Sequence, residues 1–190
     1  MKLLLLYGTT EGQTEKVARF VAEHWAQQGH QTAVVNAIDA AAGVDPSMVD
    51  AVIVAASLHA GRYQSAVLHF VREHLAAITA RPNAFLSVSL AAASDDTDDV
   101  QGLKKCVAEF IHQTGWTPQC IHHVAGAFRY SSYDFLKRWA MKYIAYRKGA
   151  STDTSRDHEL TDWADLARFA DAFMKGMQPG PQTKAQRPPE

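Results

Sequence analysis

Cysteine is scarce in this chain: Cys106 and Cys120 are the only two among 190 residues, and no CxxC pair exists. Neither a disulfide framework nor a thiolate-built zinc site finds support. An excess of one charge is missing too. Nineteen Lys and Arg face twenty Asp and Glu, a formal net charge of -1, so no bulk field advertises nucleic acid as a partner. Long apolar runs are absent: nothing approaches the roughly 18 consecutive residues of a membrane span. The first run, Leu3 to Leu6, is too short for a signal-peptide core and passes straight into a turn. The expectation is a cytoplasmic chain. What remains is an ordinary globular balance, 47% hydrophobic and 21% charged, consistent with one domain and a sizeable core.

Short apolar runs alternate with longer amphipathic ones. Residues 2–7 (KLLLLY), 32–37 (TAVVNA), 51–57 (AVIVAAS), 84–90 (AFLSVSL) and 120–128 (CIHHVAGAF) read as strands. Residues 13–28, 64–79 and 99–114 read as helices. Val17, Phe20, Val21 and Trp25 share one face of the first. A last helix is expected over 161–174, with Thr161 or Asp162 as its N-cap. Near-continuous apolar strands separated by helices imply a parallel sheet covered on both faces, a doubly wound α/β domain. In such sheets ligands sit beyond the carboxyl ends of the strands. The loops at 8–13, 57–63 and 91–98, and the chain beyond 126, are therefore the informative ones.

The domain is expected to occupy residues 1–177. Within it, 127–158 is far longer than the usual connection of about 2–6 residues and reads as an insertion. The tail 178–190 (QPGPQTKAQRPPE) carries four of the seven prolines and reads as disordered.

The stretch YGTTEGQT (7–14) follows the first strand. It lacks the lysine of a P-loop, since Gln13 follows Gly12, and it has no GxGxxG turn. What it offers is neutral: backbone N–H groups from Glu11, Gly12 and Gln13 at a helix start, and the hydroxyls of Thr9, Thr10 and Thr14. Such groups can surround a phosphate by hydrogen bonds alone. Glu11 is expected to turn its carboxylate outward. The plainer reading is a strand-to-helix turn with a threonine cap. A cradle without a cation suits a permanently held terminal monophosphate, the need of flavin mononucleotide (FMN).

On these residues the chain resembles the flavodoxins, whose phosphate loop reads T/S-x-T-G-x-T. Thr9, Gln13 and Thr14 match, and Glu11 departs at the third position. The resemblance implies a five-stranded parallel sheet in the order 2-1-3-4-5, with helices on both faces. The stretches AASLHAGRYQSA (55–66), GAFRY (126–130) and TDTSRDHELTDW (152–163) are similar, more narrowly, to the flavodoxin-type, menaquinone-dependent protoporphyrinogen dehydrogenases of haem biosynthesis. That likeness implies FMN as cofactor, protoporphyrinogen IX as substrate and menaquinone or ubiquinone as electron acceptor. It also implies that Ser57, Leu58, His59 and Ala60 offer groups to the flavin and that Gly61 takes a positive φ. His59 or Tyr63 would cover a ring face, and Ser89, Leu90 and Ala91 would approach the ring and ribityl chain. The plainer reading of 57–63 is a helix-start loop with a solvent-facing histidine. A flavodoxin that only carries electrons between proteins is the alternative function, and a scaffold that has lost FMN is a third.

The remaining titratable clusters read as structural. Asp95, Asp96, Asp98 and Asp99 suit a solvated helix start better than a metal site. His122 and His123 are neighbours on a strand and point to opposite faces, so no metal is expected. The inserted residues 128–150 hold six Lys or Arg against one Asp. On a helix, Phe135, Leu136, Trp139, Tyr143, Ile144 and Tyr146 share one half, and Lys137, Arg138, Lys142 and Lys148 the other. A basic amphipathic helix before the last helix fits a bilayer surface, hence peripheral association with the inner face of the cell membrane. The same charges suit a porphyrin lying on Trp139 and Tyr143, with Arg129 or Arg138 on a propionate. A helix packed on the sheet edge is the plainer alternative. Association of copies of the chain is left open.

Overall fold

Leu3 to Leu6 are buried because β1 (Lys2–Gly8) has a neighbour on each side. The computed structural model describes residues 1–40, 43–128 and 158–177. β1 lies between β2 (Gln31–Asn36) and β3 (Ala51–Ser57), followed outward by β4 (Asn83–Ser89) and β5 (Cys120–Ala125). All four pairings are parallel and the order is β2-β1-β3-β4-β5. This is the doubly wound sheet that the strand pattern predicts.

Alternation along each strand divides the core in two. Leu3, Leu5, Tyr7, Ile53 and Leu86 face α1 (Gln13–Gln27) and α5 (Trp163–Met177), meeting Val17, Val21, Trp25, Leu166 and Phe169. Leu4, Leu6, Val52, Val54 and Phe85 face the opposite way. They meet α2 (Ser65–Glu73), α3 (Leu75–Thr79) and α4 (Thr97–Thr114) through Val67, Phe70, Ile78, Val107 and Phe110.

Two expected elements differ. The helix read over 64–79 is two helices, broken at His74, whose φ of -107 and ψ of 19 leave the helical region. Val67, Phe70, Val71 and Ile78 keep helical spacing through the break, so periodicity does not reveal it. The strand read over 120–128 stops at Ala125. Gly126 then donates its N–H to the Ser89 carbonyl at 3.0 Å, and β6 (Ala127–Phe128) pairs antiparallel with β7 (His158–Glu159). The pairing partner lies thirty residues away in sequence, beyond any local pattern. At α5 the cap alternatives resolve. Asp162 accepts the Asp165 N–H at 2.9 Å, whereas Thr161 donates to the Ala125 carbonyl at 2.7 Å.

His122 holds Asp165 at 3.1 Å and stacks on Phe169, centroid to centroid 4.7 Å. Burial nevertheless wins over the carboxylate and holds the His122 imidazole below its ordinary range; burial, with His122 and Lys104 nearby, does the same to His123. Both therefore resist protonation when folded and accept it more readily when unfolded. Their stability contribution is full above about pH 6.5 and is lost as pH falls through that value toward the lower folded ones. His122→Phe keeps the stack on Phe169 and removes one titrating group. Its urea midpoint should fall less between pH 7 and 5 than that of the parent; an equal fall refutes the assignment.

Candidate functional site

The carboxyl ends of β1, β3, β4 and β5 enclose a cleft of about 300 Å³. Its walls are Thr9, Thr10, Glu11, Gln13 and Thr14 after β1, residues 57–61 after β3, residues 88–91 after β4, and Gly126 and Ala127 after β5, with Asp99 from α4. A doubly wound sheet puts its ligand there because the loops after neighbouring strands diverge to opposite faces.

The loop after β1 is shaped by Gly12. Its φ of 92 is the left-handed region glycine takes without strain, and its N–H folds back onto Thr9 Oγ1 at 2.8 Å. No side chain caps α1, so its first-turn N–H groups are available to an anion. Thr14 is fully buried, and its hydroxyl has no hydrogen-bond partner. An unpaired buried hydroxyl costs about 1–3 kcal/mol, which a ligand oxygen would offset. The Thr9 hydroxyl already accepts the Gly12 N–H, which leaves its own O–H to donate. Among the described residues neither lysine nor arginine lines the cleft. A phosphate monoester, acceptor-rich and needing donors rather than a metal, fits this set; FMN, the cofactor the resemblance implies, carries one.

The Gln13 side-chain amide is engaged away from the cleft. That amide donates to Thr161 Oγ1 at 2.9 Å, tying the loop to the chain just before α5. Across the cleft, His59 and Arg62 exchange backbone hydrogen bonds of 2.9 and 3.0 Å around Ala60 and Gly61, whose φ values are 48 and 77. Two positive φ angles in sequence are what the tightest chain reversals demand. Gly61 meets this freely; Ala60 is the one non-glycine at positive φ among the described residues, and so carries strain. The Leu58 N–H reaches the Val88 carbonyl at 2.8 Å, which fastens this loop to the end of β4. Ser89 Oγ accepts the Ala92 N–H at 3.1 Å and shapes the third wall.

Two residues expected at the cofactor lie elsewhere. Gly12 shapes the loop from behind the cleft wall. Tyr63 is turned into the core: its hydroxyl meets Ser87 Oγ at 2.8 Å, and its ring packs edge-on against Phe85 and Phe110 at 5.2 and 5.1 Å. Burial pushes its phenol up to about 12. The reversal at Ala60 and Gly61 sends the chain back under the cleft, so Tyr63 covers no ring face. Val88, Asp99, Gly126 and Ala127 also join the walls, though none of them was expected at the cofactor. Asp99, read as part of a solvated helix start, accepts the Ser94 hydroxyl at 2.7 Å, and Asp96 caps α4 by accepting the Asp98 N–H. Arg129, Lys137, Arg138, Trp139, Lys142 and Tyr143 lie outside the described residues, as does the tail. Among the described residues no helix is long and apolar enough to cross a membrane, and no three His, Cys, Asp or Glu side chains gather as for a metal.

Residues 4–155 match the flavodoxin domain family. The chain is 32% identical over 170 residues to a protein of Escherichia coli K12 named protoporphyrinogen IX dehydrogenase (quinone), a match covering 90% of this chain and 93% of that one. A protein of the same name from Leishmania major is 30% identical over 172 residues, covering 90% and 74%. Among solved structures, oxidised flavodoxin 1 from Bacillus cereus superposes with a TM-score of 0.52 at 15% identity, over 92% of this chain and 98% of that one, and so shares the fold. With the sheet order, the cleft at the strand ends and the matched residues in agreement, the chain belongs to the flavodoxin domain family.

Proposed function

We propose that the chain is an FMN-dependent protoporphyrinogen IX dehydrogenase that passes electrons to a quinone, menaquinone or ubiquinone, in haem biosynthesis. The observation that carries this reading is the buried, unpartnered Thr14 hydroxyl in a cleft that no described lysine or arginine lines, together with likeness to the named dehydrogenases over nine-tenths of the chain. When bound, FMN would supply the two-electron redox chemistry that links porphyrinogen oxidation to quinone reduction.

The protein's part is position and electrostatics. Thr9, Thr10 and Thr14 would donate hydroxyl hydrogens to the phosphate, joined by the N–H groups of Glu11 and Gln13. The stretches 57–61 and 89–91, which line the cleft, would flank the ring system. The basic insertion, led by Lys137, Arg138 and Lys142, meets the membrane or the porphyrin propionates. Its local charge supports that placement, and brings the enzyme to the inner face of the cell membrane, where a lipid-soluble quinone resides.

An anaerobic assay tests the proposal. The purified protein should be yellow, bleached by protoporphyrinogen and recoloured by menaquinone, and should sediment with anionic vesicles in preference to neutral ones. Flavin bleached by a flavodoxin reductase but indifferent to the porphyrinogen would make this an electron carrier instead.

A further inference from the structure

The side-chain amide of Gln64 bridges the two loops that close on the cleft. Its Nε2 donates to Thr10 Oγ1 at 3.0 Å in the loop after β1, and to Ser57 Oγ at 2.5 Å at the end of β3. The room it occupies exists because β1 ends in glycine: a Cβ on Gly8 would come within 3.0 Å of Gln64 Oε1 and 2.4 Å of Val67 Cγ2. Gln64 therefore sits over the junction of β1 and β3, where neighbouring loops part company.

The direction of the amide carries chemical information. A primary amide has two hydrogens, and a hydroxyl has one hydrogen and two lone pairs. With both amide hydrogens given to Thr10 and Ser57, each hydroxyl is occupied as an acceptor and keeps its own O–H to donate. Among the described residues neither hydroxyl makes another hydrogen bond, and both residues line the cleft. Gln64 Oε1 is buried without a partner. The reversed amide would leave two buried N–H hydrogens unpaired in place of one carbonyl oxygen, the costlier arrangement.

We propose that Gln64 is a positioning residue that sets the polarity of the Thr10 and Ser57 hydroxyls, turning both into donors toward the cleft and matching it to a phosphate-bearing ligand. The assignment rests on the FMN reading and deepens it. With Thr9 and Thr14, these hydroxyls give the cleft a set of donors whose hydrogens are uncommitted among the described residues. Selection for phosphate is thereby achieved without a cation, through a residue that does not itself line the cleft.

Gln64→Glu and Gln64→Met separate polarity from packing. The carboxylate of Gln64→Glu accepts from both hydroxyls and turns their lone pairs toward the ligand; the thioether of Gln64→Met fills similar space and directs neither. Titrating each apoprotein with FMN and with riboflavin, which lacks the phosphate, reads the ratio of the two affinities. That ratio should fall about tenfold or more in Gln64→Glu, the factor one hydrogen bond to a charged group carries, and by less in Gln64→Met. Lowering the pH should restore part of it in Gln64→Glu, because a protonated carboxyl regains one donor. Equal losses for the two flavins in both variants would reduce Gln64 to a packing role and overturn the proposal. Parental protein that binds neither flavin would overturn the FMN reading with it, and variants with the parental ratio would overturn the polarity assignment alone. Should Gln64→Glu fail to fold, Gln64→Met still decides, since an unaltered ratio there removes any orienting role.

Discussion

Replacing Thr14 by valine should weaken FMN binding roughly ten- to hundredfold while leaving the apoprotein as stable as before, or more stable. The two effects have opposite signs because the hydroxyl has no partner within the protein. Removing an unpaired polar atom from a fully buried site relieves its desolvation cost, whereas removing a donor from a bound phosphate loses a charge-assisted hydrogen bond of about 1.5–3 kcal/mol. Quenching of flavin fluorescence measures the first effect, and urea unfolding of the apoprotein measures the second. Thr14→Ser, which keeps the donor, should stay close to the parent in affinity. Undiminished FMN binding by the valine variant would place the phosphate elsewhere, and a clear loss of apoprotein stability would mean that the hydroxyl serves the fold.

Trp25→Ala should destabilise the protein by about 3–5 kcal/mol, the range for truncating a buried tryptophan, and lower its melting temperature by roughly 10 °C. Trp25 is fully buried between α1 and α5, stacks on Phe173 at 5.9 Å and donates its indole N–H to the Ala170 carbonyl at 3.2 Å. Near the other end of α1, Gln13 reaches Thr161 just before α5. Loosening the helix pair thus reaches the phosphate loop, and FMN in excess should recover part of the lost melting temperature by mass action. A melting temperature within a degree or two of the parent would show that α5 is held mainly by other contacts.

Legibility from sequence followed how local the deciding interaction is. The Leu3–Leu6, 51–57 and 84–90 runs could be placed as strands because the sheet buries both their faces, which makes the run itself the signal. Thr9, Thr10 and Thr14 could be placed on the cleft because their hydroxyls lie a few residues apart on one turn. Tyr63 could not be placed this way. It belongs to the same stretch as Leu58 and His59, yet Phe85 on β4 and Phe110 on α4 draw its ring into the core. Gln64 left no trace at all, since its meaning arises only when Thr10, fifty-four residues earlier, arrives beside Ser57.

The amino-acid order alone determined the alternation of strands and helices, the parallel sheet and a hydroxyl-rich loop without a cation at the mouth of the first strand, since each depends on residues within a turn or two of one another. Tertiary structure decided where β5 ends, which way Tyr63 faces and how the hydroxyls of the cleft are polarised. Those outcomes depend on partners brought together from distant parts of the chain, where packing and the pairing of buried polar groups outweigh local preference.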